Sequence, residues 1–122
     1  MKQILGEYPN TYTFTKSMAE RTLSKIRDPR IPTVIYRPSI IISSYREPYP
    51  GWTDTLSAAG GLSLAGSVGI LHYVHGDPQI KSDLVPVDMT TNQIIVCTAM
   101  EAFKPKLTVM HGTTSHKNPL PW

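Results

Sequence analysis

Tyr12 and Lys16 stand four residues apart in the stretch PNTYTFTKSMAE, Pro9 to Glu20. On a helix that spacing puts both side chains on one face, one turn apart. A free phenol has a reference pKa near 10 and exchanges protons poorly at neutral pH, but a cation held beside it favours the phenolate. Lys16 is spaced to be that cation for Tyr12, and its three N–H donors also suit the hydroxyls of a ribose. The pair reads as a general acid with a tuning cation. Spacing alone does not make it a site. With six tyrosines in the chain, a chance Tyr-x-x-x-Lys arises in roughly one such sequence in three.

The elements around the pair follow from local chemistry. Asn10 or Thr11 can cap a helix running to about Ile26, rich in good helix formers such as Lys16, Met18, Ala19, Glu20 and Leu23. Asp28, Pro29 and Pro32 break the chain. TVIYRP, Thr33 to Pro38, is β-branched and aromatic and reads as a buried strand of the parallel-sheet kind. An irregular loop is predicted from Ser43 to about Asp54, and partial helix in the glycine-broken stretch after it. Leu84 to Pro86 reads as a short strand, followed by a helix over about Met89 to Phe103 capped by Asp88, and Lys106 to Gly112 as a further strand. The order is an α/β alternation with parallel-sheet character.

Composition narrows the function classes. A chain of 122 residues has room for one small domain or half of a larger one. Its formal charge of +3 is scattered and forms no basic block, so it gives weak support to an anionic ligand and hardly any to nucleic acid, and no nucleic-acid partner is predicted. Cys97 is the single cysteine, so no internal disulfide is possible, and its apolar helical surroundings predict a packed thiol. No apolar run approaches the ~20 residues of a membrane span. Gly61 and Gly66 have phosphate-loop spacing, but Ser67 and Val68 stand where lysine and serine or threonine are required. His72 and His75 lack a third neighbour, so no metal site is predicted.

PNTYTFTKSMAE, followed by IPTVIYRPSIIISSYREPYPGWTD, closely resembles the fatty acyl-CoA reductases, an extended branch of the short-chain dehydrogenase/reductase family. In that family the tyrosine–lysine helix precedes a strand ending in Arg-Pro-Ser, as Arg37, Pro38 and Ser39 do here. EPYPGW (Glu47 to Trp52), DLVPVDMTTNQII (Asp83 to Ile95) and NPLPW (Asn118 to Trp122) are similar to the reductases rather than to the wider family. The resemblance implies that Tyr12 is the acid protonating the substrate oxygen. Lys16 would support it and bind the nicotinamide ribose of NADPH, and the loop Pro38, Ser39, Ile40 and Ile41 would lie along the nicotinamide. It implies long-chain fatty acyl-CoA as substrate and fatty alcohol as product, and no particular oligomeric state. It places full-length reductases at the peroxisomal or endoplasmic-reticulum membrane, facing the cytosol, with any anchor outside these residues. Trp52 and Tyr49 could line an acyl channel or pack on their own domain.

The dinucleotide turn is missing. No G-x-G-x-x-G or G-x-x-G-x-x-G occurs, and no strand–glycine–helix unit precedes Tyr12. The family's catalytic serine would also lie upstream of the tyrosine. The expected fold class is therefore α/β, a partial doubly wound (Rossmann-type) parallel sheet without its N-terminal glycine-motif half. Residues 1–122 are expected to be a single partial domain, the C-terminal half of a nucleotide- and substrate-binding domain. The reading is a fatty acyl-CoA reductase fragment, inactive alone. The alternatives are another extended dehydrogenase of steroid or sugar-nucleotide type, which EPYPGW speaks against, and a non-catalytic chain acting only as an interaction partner.

Overall fold

The structure, a computed structural model, describes residues 5–56 and 58–121, so Trp122 of the terminal NPLPW lies outside the described residues. The helix α1 spans Thr11–Ile26 and begins where the sequence predicts. Asn10 is extended, and its side chain accepts the Thr13 N–H at 2.9 Å, satisfying one of the donors a helix start leaves open. No residue of α1 is buried. The helix lies on the outside of the molecule.

The strand β1, Thr33–Pro38, pairs in parallel with β5, Leu107–Gly112, in the register Thr33 to Leu107 through Pro38 to Gly112. The chain then changes partners within one residue. The Ser39 N–H donates to the Gly112 carbonyl (2.9 Å), and the Ile40 N–H donates to the Asp83 carbonyl (3.2 Å). From there β2, Ile40–Ile42, runs parallel to β4, Leu84–Pro86. The segment Pro38 to Ile41, expected as a loop, is thus the end of one strand, a single linking residue and the start of the next. Three isoleucines suit a strand, and the Arg-Pro-Ser stop hides a switch of sheet rather than an end of extended structure.

The helix α2, Ala58–Ser67, fills part of the glycine-broken stretch. The helix α3, Val87–Glu101, follows β4 directly and packs on both parallel strand pairs. It starts two residues before the expected position, with Pro86 at its cap and no side-chain cap bond, so Asp88 lies in its first turn and is not the cap. A short antiparallel pair joins β3, Lys81–Ser82, to β6, Leu120–Pro121, which lies inside the NPLPW motif.

Among the described residues only Val85, on β4, is a fully buried large apolar side chain. The apolar side chains along α3 are largely open to solvent: Ile94, Val96 and Met100 are exposed, and Phe103 lies beyond the helix. Cys97 is half-buried rather than packed in a core. No helix of the described residues is long and apolar enough to cross a membrane.

Candidate functional site

Tyr12, Lys16 and Glu20 follow one another at one-turn intervals on α1 and so form a single stripe. Tyr12 is 67% exposed, and the Lys16 ammonium lies over its ring, 5.6 Å from the centroid. The segment before the helix folds back onto a neighbouring face: the Tyr8 and Ser17 hydroxyls are 2.6 Å apart, and the Tyr8 and Phe14 rings meet edge to face at 5.6 Å.

The third member of the stripe reaches the sheet. Arg37 on β1 grips Glu20 with two parallel bonds, Nε donating to Oε1 at 2.9 Å and a terminal guanidinium nitrogen donating to Oε2. The Arg37 bonds hold the Glu20 carboxyl below its ordinary value. Arg37 immediately precedes Pro38 and Ser39, so this pair ties the tyrosine–lysine helix to the place where β1 changes sheets.

That switch is fastened from its other side by Asp83, whose carboxylate accepts the Thr114 N–H (2.8 Å), the Ser115 N–H (3.3 Å) and the Ser115 hydroxyl (2.9 Å). The Thr114 N–H leads the bonds that depress its pKa. Tyr36 completes the fastening on the inner face. Its hydroxyl donates to Gln93 of α3 across the glycine backbone of Gly112, and burial pushes its phenol upward.

Asp88 has a role that its position at a helix start conceals. Its carboxylate accepts three successive backbone N–H groups of the loop, from Tyr45 (2.9 Å), Arg46 (2.9 Å) and Glu47 (3.2 Å). These bonds, that from Tyr45 foremost, lower its pKa from 3.8 to about 2. The loop also closes on itself, with the Ser44 hydroxyl donating to the Tyr49 carbonyl (2.6 Å) and Ser44 N–H to the Trp52 carbonyl (2.9 Å). Gly51 turns the chain at φ 83°, a conformation that favours glycine. Between this loop and α3 lies a cavity of about 650 Å³ bordered by Tyr45, Met89, Gln93, Val96 and Cys97 among others. Trp52 borders two smaller cavities, while Tyr49 is exposed.

Of the residues singled out in the sequence, the structure brings Tyr12 and Lys16 together. Pro38, Ser39, Ile40 and Ile41 lie at the sheet switch. Among the described residues no hydrogen bond joins the Tyr12 hydroxyl to that segment, and the connection between the two runs through Glu20 and Arg37. Sequence reasoning passed over Glu20, although its position four residues after Lys16 was a visible signal. It had no means of finding Asp83, Gln93 or the loop partners of Asp88, which are remote in the chain. No group of three or more metal-binding side chains occurs among the described residues.

A nicotinamide dinucleotide suits part of this arrangement. Crevices at the carboxyl ends of parallel strands receive such ligands, and Pro38 and Gly112 are paired at the carboxyl ends of β1 and β5. Lys16 is exposed and enters no ion pair among the described residues, which leaves its donors available for a ribose. The pyrophosphate has no counterpart, since the 122 residues contain no glycine-rich turn.

Comparison with known proteins agrees with the geometry. Residues 1–94 match the NAD-binding family described as male sterility protein. The chain is 41% identical over 117 residues to probable fatty acyl-CoA reductase 4 of Arabidopsis thaliana, covering 95% of this chain and 24% of that protein. It is 36% identical over 122 residues to fatty acyl-CoA reductase 1 of Gallus gallus, covering 98% of this chain and 24% of that protein. The human fatty acyl-CoA reductase 1 is 34% identical over 122 residues, with the same coverage. The chain thus spans about a quarter of the length of the curated relatives it matches. With most of its length matched by one family and its parallel strands and helices arranged as a partial Rossmann-type sheet, the chain belongs to the male sterility protein family, whose domain takes a nicotinamide cofactor.

Proposed function

We propose that these residues supply the tyrosine–lysine half of a site that reduces long-chain fatty acyl-CoA to fatty alcohol with NADPH. The observation that carries the reading is the α1 stripe, in which the Lys16 ammonium lies over the Tyr12 ring and Glu20 is tied to the strand ending at Pro38. The substrate class is taken from the relatives, which are named as fatty acyl-CoA reductases. The preference for NADPH over NADH belongs to the proposal.

The cofactor, bound twice in succession, would supply the two hydrides that the reduction needs, with coenzyme A leaving as its thiol after the first. Tyr12 then gives its phenolic proton to the substrate oxygen, and its exposure leaves the hydroxyl open to a substrate. Lys16, whose ammonium lies over the Tyr12 ring, donates to the ribose hydroxyls. Pro38, Ser39, Ile40 and Ile41 present a backbone held in two strand registers, and so a firm wall beside the nicotinamide.

The test is a chimera in which this chain replaces the matching segment of the Arabidopsis relative. Tyr12→Phe keeps the ring and removes only the proton. It is expected to lower turnover by ~10²–10⁴-fold while acyl-CoA binding stays within about threefold. A variant keeping more than about a tenth of the parent rate would exclude the acid role.

A further inference from the structure

Lys16 has two possible partners on its own helix. Tyr12 lies one turn before it and Glu20 one turn after, and a lysine followed four residues later by a glutamate is within ion-pairing reach on a helix. In the structure the lysine goes to the tyrosine, its ammonium 5.6 Å from the ring centroid. No ion pair joins Lys16 to Glu20 among the described residues, and both carboxylate oxygens of Glu20 are engaged by Arg37.

We infer that Arg37 is a positioning residue: by occupying Glu20 from the neighbouring strand, it prevents that carboxylate from drawing Lys16 away from Tyr12. The inference rests on the role proposed for the Tyr12–Lys16 pair. Three features favour it over a simple helix-to-strand fastening. The grip is a two-bond fork, which leaves the glutamate little freedom to reach along the helix. Arg37 is the residue just before the Pro38–Ser39 switch, so the group that frees the lysine is held by the same register as the proposed nicotinamide wall. The residue of β5 in register with Arg37 is His111, which offers no carboxylate to draw the guanidinium away from Glu20. The site thus carries a cation whose effect on the acid is indirect, through a third side chain.

The two roles make opposite predictions for removing the carboxylate, and the chimeric reductase decides between them. If Arg37 occupies Glu20, Arg37→Ala lowers turnover by about threefold or more, Glu20→Gln leaves it within about twofold, and the double variant recovers most of the loss. If the pair only fastens helix to strand, Glu20→Gln costs as much as Arg37→Ala and the double variant recovers nothing; that result overturns the inference. Arg37→Gln repeats the series should the alanine variant fail to fold. A readout without turnover accompanies it. In the crystal structure of the Arg37 variant, the Glu20 carboxylate is expected within ion-pair distance of the Lys16 ammonium, and a glutamate still turned toward β1 overturns the inference. A chimera inactive in every form would refute the proposed function, while those coordinates would still decide the role of Arg37.

Discussion

Gly112 shows how much of this site depends on a missing side chain. The Tyr36 hydroxyl crosses over its backbone to reach Gln93, and a Cβ there would collide with that hydroxyl and stand 2.8 Å from the Gln93 oxygen. The backbone of Gly112 is ordinary strand, so the requirement is one of space. Gly112→Ala is therefore expected to destabilise the chain by about 1–3 kcal/mol, the usual cost of overpacking. Removing the Tyr36 hydroxyl with Tyr36→Phe in the same background should restore part of that loss. Thermal melts of the two single variants and the double variant check both, and an alanine variant as stable as the parent would contradict the crowding. Tyr12 contrasts with this position. Its side chain is open on most sides, so its substitution bears on chemistry and little on packing.

The loop from Ser43 to Asp54 and the helix α3 act as one unit through Asp88. Three successive amides point at one carboxylate, so the loop is held in its ionised form. With the native carboxyl at about 2 and the free one at 3.8, the native state releases this proton more readily than the unfolded chain. The anchor's contribution is therefore complete above about pH 4 and is lost as the pH falls toward 2. Asp88→Asn places an amide donor against an N–H and is expected to speed hydrogen exchange at Tyr45, Arg46 and Glu47 at neutral pH and to flatten the acid transition below pH 4. Unchanged protection of those three amides in the variant would refute the anchor. Elements of this kind were only partly readable beforehand. α1 and β1 were legible because capping, proline punctuation and β-branched runs act within a few residues. The sheet switch at Ser39, the β3–β6 pair and the partner of Asp88 depend on contacts with residues about 40 or more positions away, and nothing local announces them. Asp88 looked like a cap because aspartate suits a helix start, but the helix begins earlier and its carboxylate is taken by the loop.

Across the molecule, surface is in excess. A compact monomer of this mass exposes roughly 6,600 Å², whereas this chain exposes 9714 Å². The two parallel strand pairs are separate two-stranded sheets among the described residues, so each strand keeps a free edge, and apolar side chains such as Ile41 of β2 and Val109 of β5 are uncovered. The 122-residue polypeptide by itself is expected to self-associate and to unfold with little cooperativity. It should also show no saturable NADPH quenching at micromolar cofactor and no acyl-CoA-dependent NADPH oxidation, since these residues hold no glycine-rich turn for the pyrophosphate. Sedimentation and fluorescence titration check these expectations, and a monomeric species turning over acyl-CoA would contradict them.

The single residue between β1 and β2 carries a consequence for how sequences of this kind can drift in length. Ser39 is bound to β5 through its own N–H, and Ile40 is bound beside β4 through the next, so two registers are set within one peptide unit. An insertion or deletion there would turn every side chain of one strand to the opposite face of its sheet. Nothing comparable constrains the exposed stretch from Tyr73 to Ile80, where added residues would displace only solvent. Length variation should therefore be shut out at Pro38–Ile40 and concentrate between α2 and β3.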